Sequence, residues 1–173
     1  MRILFLGDIV GRTGRDTVGA KLPELRQALR IDLAIINAEN ASHGFGLSPD
    51  MAKALFEAGA DVITLGNHAW DRKEIIPYIA DNPRLIRPLN YPPGTPGNGS
   101  VLVTLRDGRK ALVLQAMGRL FEAGSEAGRT GRWRVLPPGL GPGERAVPRE
   151  GTRLKTVVRV PAGGKDASGA QED

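Results

Sequence analysis

Cysteine is absent from this chain of 173 residues. That excludes disulfides, thiolate metal sites and cysteine nucleophiles, and it points to a reducing, cytoplasmic setting. Histidine occurs twice, so any imidazole chemistry rests on His43 or His68. Aromatic residues make up 5% of the chain, which leaves aliphatic side chains to build the core. No apolar run approaches the roughly 20 residues needed to span a bilayer. The N-terminal run Ile3–Leu6 is too short for a signal sequence and leads straight to Asp8, so no membrane association is expected. The net charge of +5 is spread thinly, without a tract of like charges. Arg129, Arg132, Arg134, Arg145 and Arg149 surround Trp133 and could suggest a nucleic-acid surface. Scattered arginine of this kind is more often a compositional by-product, and nucleic-acid binding is not expected.

What is present is a strongly patterned first part. Arg2–Gly7, Asp32–Asn37 and Asp61–Leu65 are apolar runs of the kind that form buried parallel strands. Thr17–Leu29 places Val18, Leu22, Leu25 and Leu29 at helical spacing, with Pro23 expected to bend or delay the helix. Ser48 is the expected N-cap of a second helix, with Pro49 at its first position and Met51, Leu55 and Ala58 on its apolar face up to Gly59. Lys73–Ile79 is expected as a short helix interrupted at Pro77, followed by a short strand at Arg84–Pro88. Asp107-Gly108 between Ser100–Arg106 and Lys110–Gln115 is a hairpin signal. The fold class is therefore α/β. Residues 1–121 form one domain, and residues 122–173 form a Gly/Pro/Arg-rich tail, expected to be irregular and disordered apart from a possible strand at Leu154–Val160.

Each of the first three strands ends in polar residues. Gly7-Asp8 follows the first, Asn37-Ala38-Glu39-Asn40 the second, and Gly66-Asn67-His68 the third. Ligands of open parallel sheets sit beyond the carboxyl ends of the strands, so these groups should converge. Two carboxylates and two amide oxygens beside an imidazole suit divalent metal ions. Two ions about 3.5–4 Å apart could clamp a phosphoryl group while His68 protonates the leaving oxygen. Each residue also has a plainer reading. Asp8 could be a turn residue or helix cap, Glu39 and Asn40 polar loop residues, and His68 a helix cap or a partner of Trp70. Asn37 is expected to hydrogen-bond locally. His43, in a Gly-flanked loop, is expected to be exposed, with a place near a substrate phosphate as the sharper alternative.

Several motifs together make the chain resemble a known family. They are GDIVGRTGR at Gly7–Arg15, NAEN at Asn37–Asn40, GFGL at Gly44–Leu47 and EAGADVITLGNHAWDRKEI at Glu57–Ile75. RPLNYPPGTPG at Arg87–Gly97 and MGRLF at Met117–Phe121 continue the series. Across residues 1–121 the chain resembles the YmdB-like branch of the calcineurin-like metallophosphoesterases. The resemblance implies the front half of a metallophosphoesterase β-sandwich flanked by helices. It also implies two metal ions, iron or manganese, phosphodiesterase activity on 2′,3′-cyclic nucleotides, and a homo-oligomer. Carried over by position, Asp8, Glu39, Asn40 and Asn67 are the implied metal ligands, Glu39 bridging, and His68 the implied proton donor.

The pattern stops after Phe121, where the family continues with a histidine on its own strand and a Gly-Thr-His-Thr-His segment. A frameshifted or wrongly ended reading frame would produce such a break, as would gene decay. Without those histidines each ion loses ligands, so the chain as written is expected to bind metal poorly. It is also expected to expose apolar surface and to be marginally stable. The alternative is a non-catalytic remnant or interaction module without a complete metal site.

Overall fold

A computed structural model of the chain describes residues 1–118 and the strand Lys155–Arg159. The element order is β1 (Ile3–Leu6), α1 (Gly11–Ala28), β2 (Leu33–Asn37), α2 (Pro49–Glu57), β3 (Val62–Thr64), α3 (Ile75–Asp81) and β4 (Leu85–Ile86). It continues with β5 (Ser100–Thr104), β6 (Lys110–Ala116) and β7 (Lys155–Arg159). The first four strands form a parallel sheet in the order β1-β2-β3-β4, and the last three an antiparallel sheet in the order β5-β6-β7.

Strand alternation divides the core in two. Ala34, Ile36, Ile63, Leu65 and Leu85 face the helices and pack with Leu22 of α1, Ala52 and Leu55 of α2, and Ile75 and Ile79 of α3. Leu33, Ile35, Val62 and Ile86 point the other way, onto Leu105, Ala111 and Val113 of the hairpin. The result is a layer of helices, a parallel sheet and an antiparallel sheet, in that order. Burying each such Leu or Ile side chain contributes roughly 1.5–3 kcal/mol, which makes the central strands the anchor of the site.

Several expectations are corrected. β1 is not a buried strand: it lies at the sheet edge, and Ile3 and Phe5 remain 36% and 47% exposed on the face that β2 presents to the hairpin. Leu102 is a further exposed apolar side chain, at 56%. α1 begins at Gly11 instead of Thr17 and runs through Pro23 without ending, and only Leu22 of the expected apolar face is fully buried. Leu29 is exposed. α3 begins at Ile75, so Pro77 lies in its first turn, where no intrahelical N–H is required, and does not interrupt it. α2 follows expectation: Ser48 Oγ accepts the Met51 N–H at 3.4 Å, and Pro49 opens the helix. The hairpin register pairs Thr104 with Lys110 around Asp107-Gly108. The strand expected at Leu154–Val160 is β7, antiparallel to β6. The disorder expected for the remainder of 122–173, and the arginines around Trp133, lie outside the described residues.

Candidate metal and phosphoester site

Because β1, β2 and β3 are adjacent and parallel, their C-terminal ends share one edge of the sheet. The loops leaving that edge are stitched together. Ile9 N–H donates to Asn37 O at 3.1 Å, Gly11 N–H to Asn40 O at 3.0 Å, and Ala38 N–H to Thr64 O at 3.0 Å. The five residues singled out in the sequence meet here.

Asp8 is exposed and sits at φ 54°, in the left-handed region. It does not cap α1, whose N-cap position is Val10 with no side-chain hydrogen bond. Its Oδ1 accepts the side-chain amide of Asn40 at 2.5 Å. Glu39 is buried. Burial pushes its carboxyl above the usual carboxylate range, the nearby Asp8 charge adds to this, and the His68 backbone N–H on Oε2 at 3.3 Å works against it. Gly66 makes room for Glu39: a Cβ there would fall 2.6 Å from the Glu39 carboxyl carbon. Asn67 follows, half-buried, its side chain without a hydrogen bond to the described residues.

His68 does not cap α3, where Glu74 holds the N-cap position, and its recorded ring contact is with Phe45, not Trp70. Its Nδ1 lies 2.6 Å from Asp71 Oδ2. The carboxylate can only accept, so in the neutral ring the proton sits on Nδ1 and Nε2 is left open. Phe45 stands perpendicular to the imidazole, with ring centroids 5.2 Å apart. His43 is exposed, as expected, and left-handed at φ 54°. Asn37 acts locally, as expected, through a side-chain hydrogen bond that lowers the Glu39 carboxyl. Its amide also donates to Thr64 Oγ1 on β3 at 3.4 Å, while its Oδ1 has no partner among the described residues.

Sequence reading passed over three contributors. Asp71 is one turn-length beyond His68, a spacing that could have signalled it. Tyr91, within a Pro/Gly-rich loop, donates its hydroxyl to Gly66 O at 2.9 Å and so braces the Gly66-Asn67-His68 turn. Burial raises its phenol to about 12, with the Glu39 charge contributing. Phe45 belongs to the GFGL motif but had no assigned role.

A metal ion can be tested against these donors. Glu39 is a buried carboxylate beside a second carboxylate, with weak compensating donors, and a cation would relieve both burial and repulsion. Asp8, Glu39, Asn40 and Asn67 are hard oxygen donors, so they fit such an ion in kind. In number they are sparse: among the described residues no group of three or more His, Cys, Asp or Glu is placed to hold a metal.

Residues 4–128 match the family described as YmdB-like protein. The chain belongs to that family. It is 48% identical over 121 residues to the 2′,3′-cyclic-nucleotide 2′-phosphodiesterase of Bacillus subtilis (strain 168), covering 70% of this chain and 46% of that protein. Among solved structures, a hypothetical protein from Thermus thermophilus superposes with a TM-score of 0.66 at 45% identity, over 72% of this chain and 48% of that one. A phosphatase from Mycoplasma pneumoniae gives 0.57 at 37% identity, over 62% and 40%. The chain thus spans about half the length of the YmdB-like relatives it matches. No helix among the described residues is long and apolar enough to cross a membrane.

Proposed function

We propose that this edge of the sheet is the front half of a metal-dependent phosphodiesterase centre, with 2′,3′-cyclic nucleotides as its substrate class and iron or manganese as its metal. The observation that carries the reading is the meeting of Asp8, Glu39-Asn40 and Asn67-His68 at the ends of three adjacent parallel strands. The names of the Bacillus and Mycoplasma relatives support it. A cytoplasmic setting agrees with the lack of cysteine, and the exposed Ile3 and Phe5 agree with association of copies.

Asp8, Glu39, Asn40 and Asn67 would hold the cations, which when bound supply charge for the phosphoryl oxygens and acidify water. Glu39, buried, would gain a charge partner when a cation is present. His68 would act as general acid in its doubly protonated form, giving the Nε2 proton to the leaving oxygen, while Asp71 holds the Nδ1 proton and orients the ring. Tyr91 and Gly66 hold the turn that carries Asn67 and His68.

The scarcity of charged donors among the described residues favours a second reading, a non-catalytic remnant or interaction module. Calorimetric titration with Mn²⁺ and an assay with adenosine 2′,3′-cyclic phosphate separate the two. The first reading expects weak binding that disappears in Asp8→Asn and Asn67→Ala, and slow turnover that falls a further ~10²–10⁴-fold in His68→Ala. Binding indifferent to Asp8 and Asn67, with no turnover, would leave only the second.

A further inference from the structure

Phe45 has no role in the chemistry described above, yet it is the most exposed of the large apolar side chains among the described residues, at 59%. An exposed phenylalanine on a loose loop would mean little. This one is held in place. Gly46 N–H donates to Glu39 O at 2.6 Å, Ser42 N–H to Gly46 O at 2.9 Å, Phe45 N–H to Ser42 O at 2.9 Å, and Gly44 N–H to Asn40 O at 3.0 Å. His43, Gly44 and Gly46 all take left-handed φ values to make that turn. Gly46 is pressed against the next loop, where a Cβ would come within 3.1 Å of Arg72 N and 3.3 Å of Asp71 Cβ. The same hydrogen bonds tie the turn that carries the ring to Glu39 and Asn40.

The ring stands perpendicular to the His68 imidazole, 5.2 Å away. A phosphoester positioned at His68 therefore has a wet, apolar aromatic surface as its immediate neighbour. Of the groups that accompany phosphate in small molecules, a nucleobase gains most there, because every base has a π-face and stacks on an aromatic ring. A bare sugar phosphate gains little.

We propose that Phe45 is the nucleobase platform of this site, a specificity-determining residue that selects nucleoside phosphoesters over base-free ones. The proposal rests on the phosphodiesterase reading, and its test keeps the two apart. The full chain is titrated in Mg²⁺ buffer with adenosine 2′,3′-cyclic phosphate and, separately, with methyl ribofuranoside 2,3-cyclic phosphate. The His68 imidazole and Phe45 ring signals are followed by NMR.

Both ligands are expected to shift His68, and only the nucleotide to shift Phe45. Phe45→Ala should weaken nucleotide binding roughly 5- to 100-fold, the range of one base–aromatic stack, and leave the base-free ester unchanged. Phe45→Trp should retain the preference. If both ligands shift His68 but bind equally, or if Phe45→Ala weakens both alike, the platform is wrong and the phosphodiesterase reading survives. If neither ligand shifts His68, both fall. A Phe45→Ala variant that binds as before but no longer self-associates would make Phe45 a contact between copies and overturn the platform.

Discussion

Asn40 donates its side-chain amide to Asp8 across 2.5 Å, joining the ends of β1 and β2. The acceptor lies in the left-handed region, which an aspartate tolerates less well than glycine. Asp8 is exposed, caps no helix and packs against nothing in the core. A residue of that kind is held for what its carboxylate does. Asp8→Gly is expected to melt at or above the unsubstituted chain, by about 1 kcal/mol or less, whereas Asp8→Val should cost about 1–2 kcal/mol. Both should lose Mn²⁺ binding. A large loss of stability in Asp8→Gly, read from urea midpoints, would mean that the carboxylate is structural.

Gly66 occupies the one space that the Glu39 carboxylate needs. Its φ is not left-handed, so Gly66→Ala tests volume alone. Relief would require the Glu39 carboxylate, the far end of its side chain, to swing out of its buried position. The substitution is expected to cost about 1–3 kcal/mol and to abolish cation binding. Gly44→Ala serves as the contrast, since no atom lies within 4 Å of its Cβ position and only the left-handed φ opposes it. Equal midpoints for Gly66→Ala and the unsubstituted chain would show that Glu39 can move aside.

Tyr91 should leave a signature at high pH. Its phenol is raised from 10.0 to about 12, so above pH 10 the unfolded chain loses that proton while the folded chain keeps it. Its contribution is therefore whole below pH 10 and is lost as pH rises toward 12. Tyr91→Phe, which leaves the buried Gly66 carbonyl with the Ala69 N–H alone, is expected to cost about 0.5–1.5 kcal/mol at pH 8. The gap between the two chains should narrow by pH 11. A gap that stays constant across that range would place the hydroxyl outside the folded-state network.

Asp71 should govern the His68 tautomer. With a carboxylate 2.6 Å from Nδ1, the neutral ring carries its proton there. In Asp71→Ala the proton is expected to move to Nε2, seen in ¹⁵N–¹H spectra of the imidazoles. The chain has two histidines, and exposed His43 is the internal control. An unchanged His68 spectrum would remove Asp71 from the positioning role.

Much of this was legible before any coordinates. Strand runs such as Leu33–Asn37 are continuous because both faces are buried, and that pattern survives in a single sequence. Local grammar also carried far: Ser48-Pro49 opens α2, and Asp107-Gly108 turns the hairpin. The errors cluster where packing overrides local preference. Leu29 has helical spacing but stays 47% exposed, and α1 runs on through Pro23. Within the site, the residues delivered by strand ends were visible, because a strand end is a position in sequence. Tyr91 and Phe45 were not, because their roles arise from loops folding back over another segment.

What the amino-acid order settled by itself is the series of strands and helices, and hence which polar residues leave the sheet at one edge. It did so because hydrophobic period and turn chemistry are local properties. Only the tertiary structure decided that Glu39 is buried against Gly66, that Asp71 binds Nδ1 of His68, and that Phe45 stands exposed beside the same ring. Those facts depend on side chains from separate loops sharing one small volume, and on the cost of placing charge or apolar surface there, which no stretch of sequence contains alone.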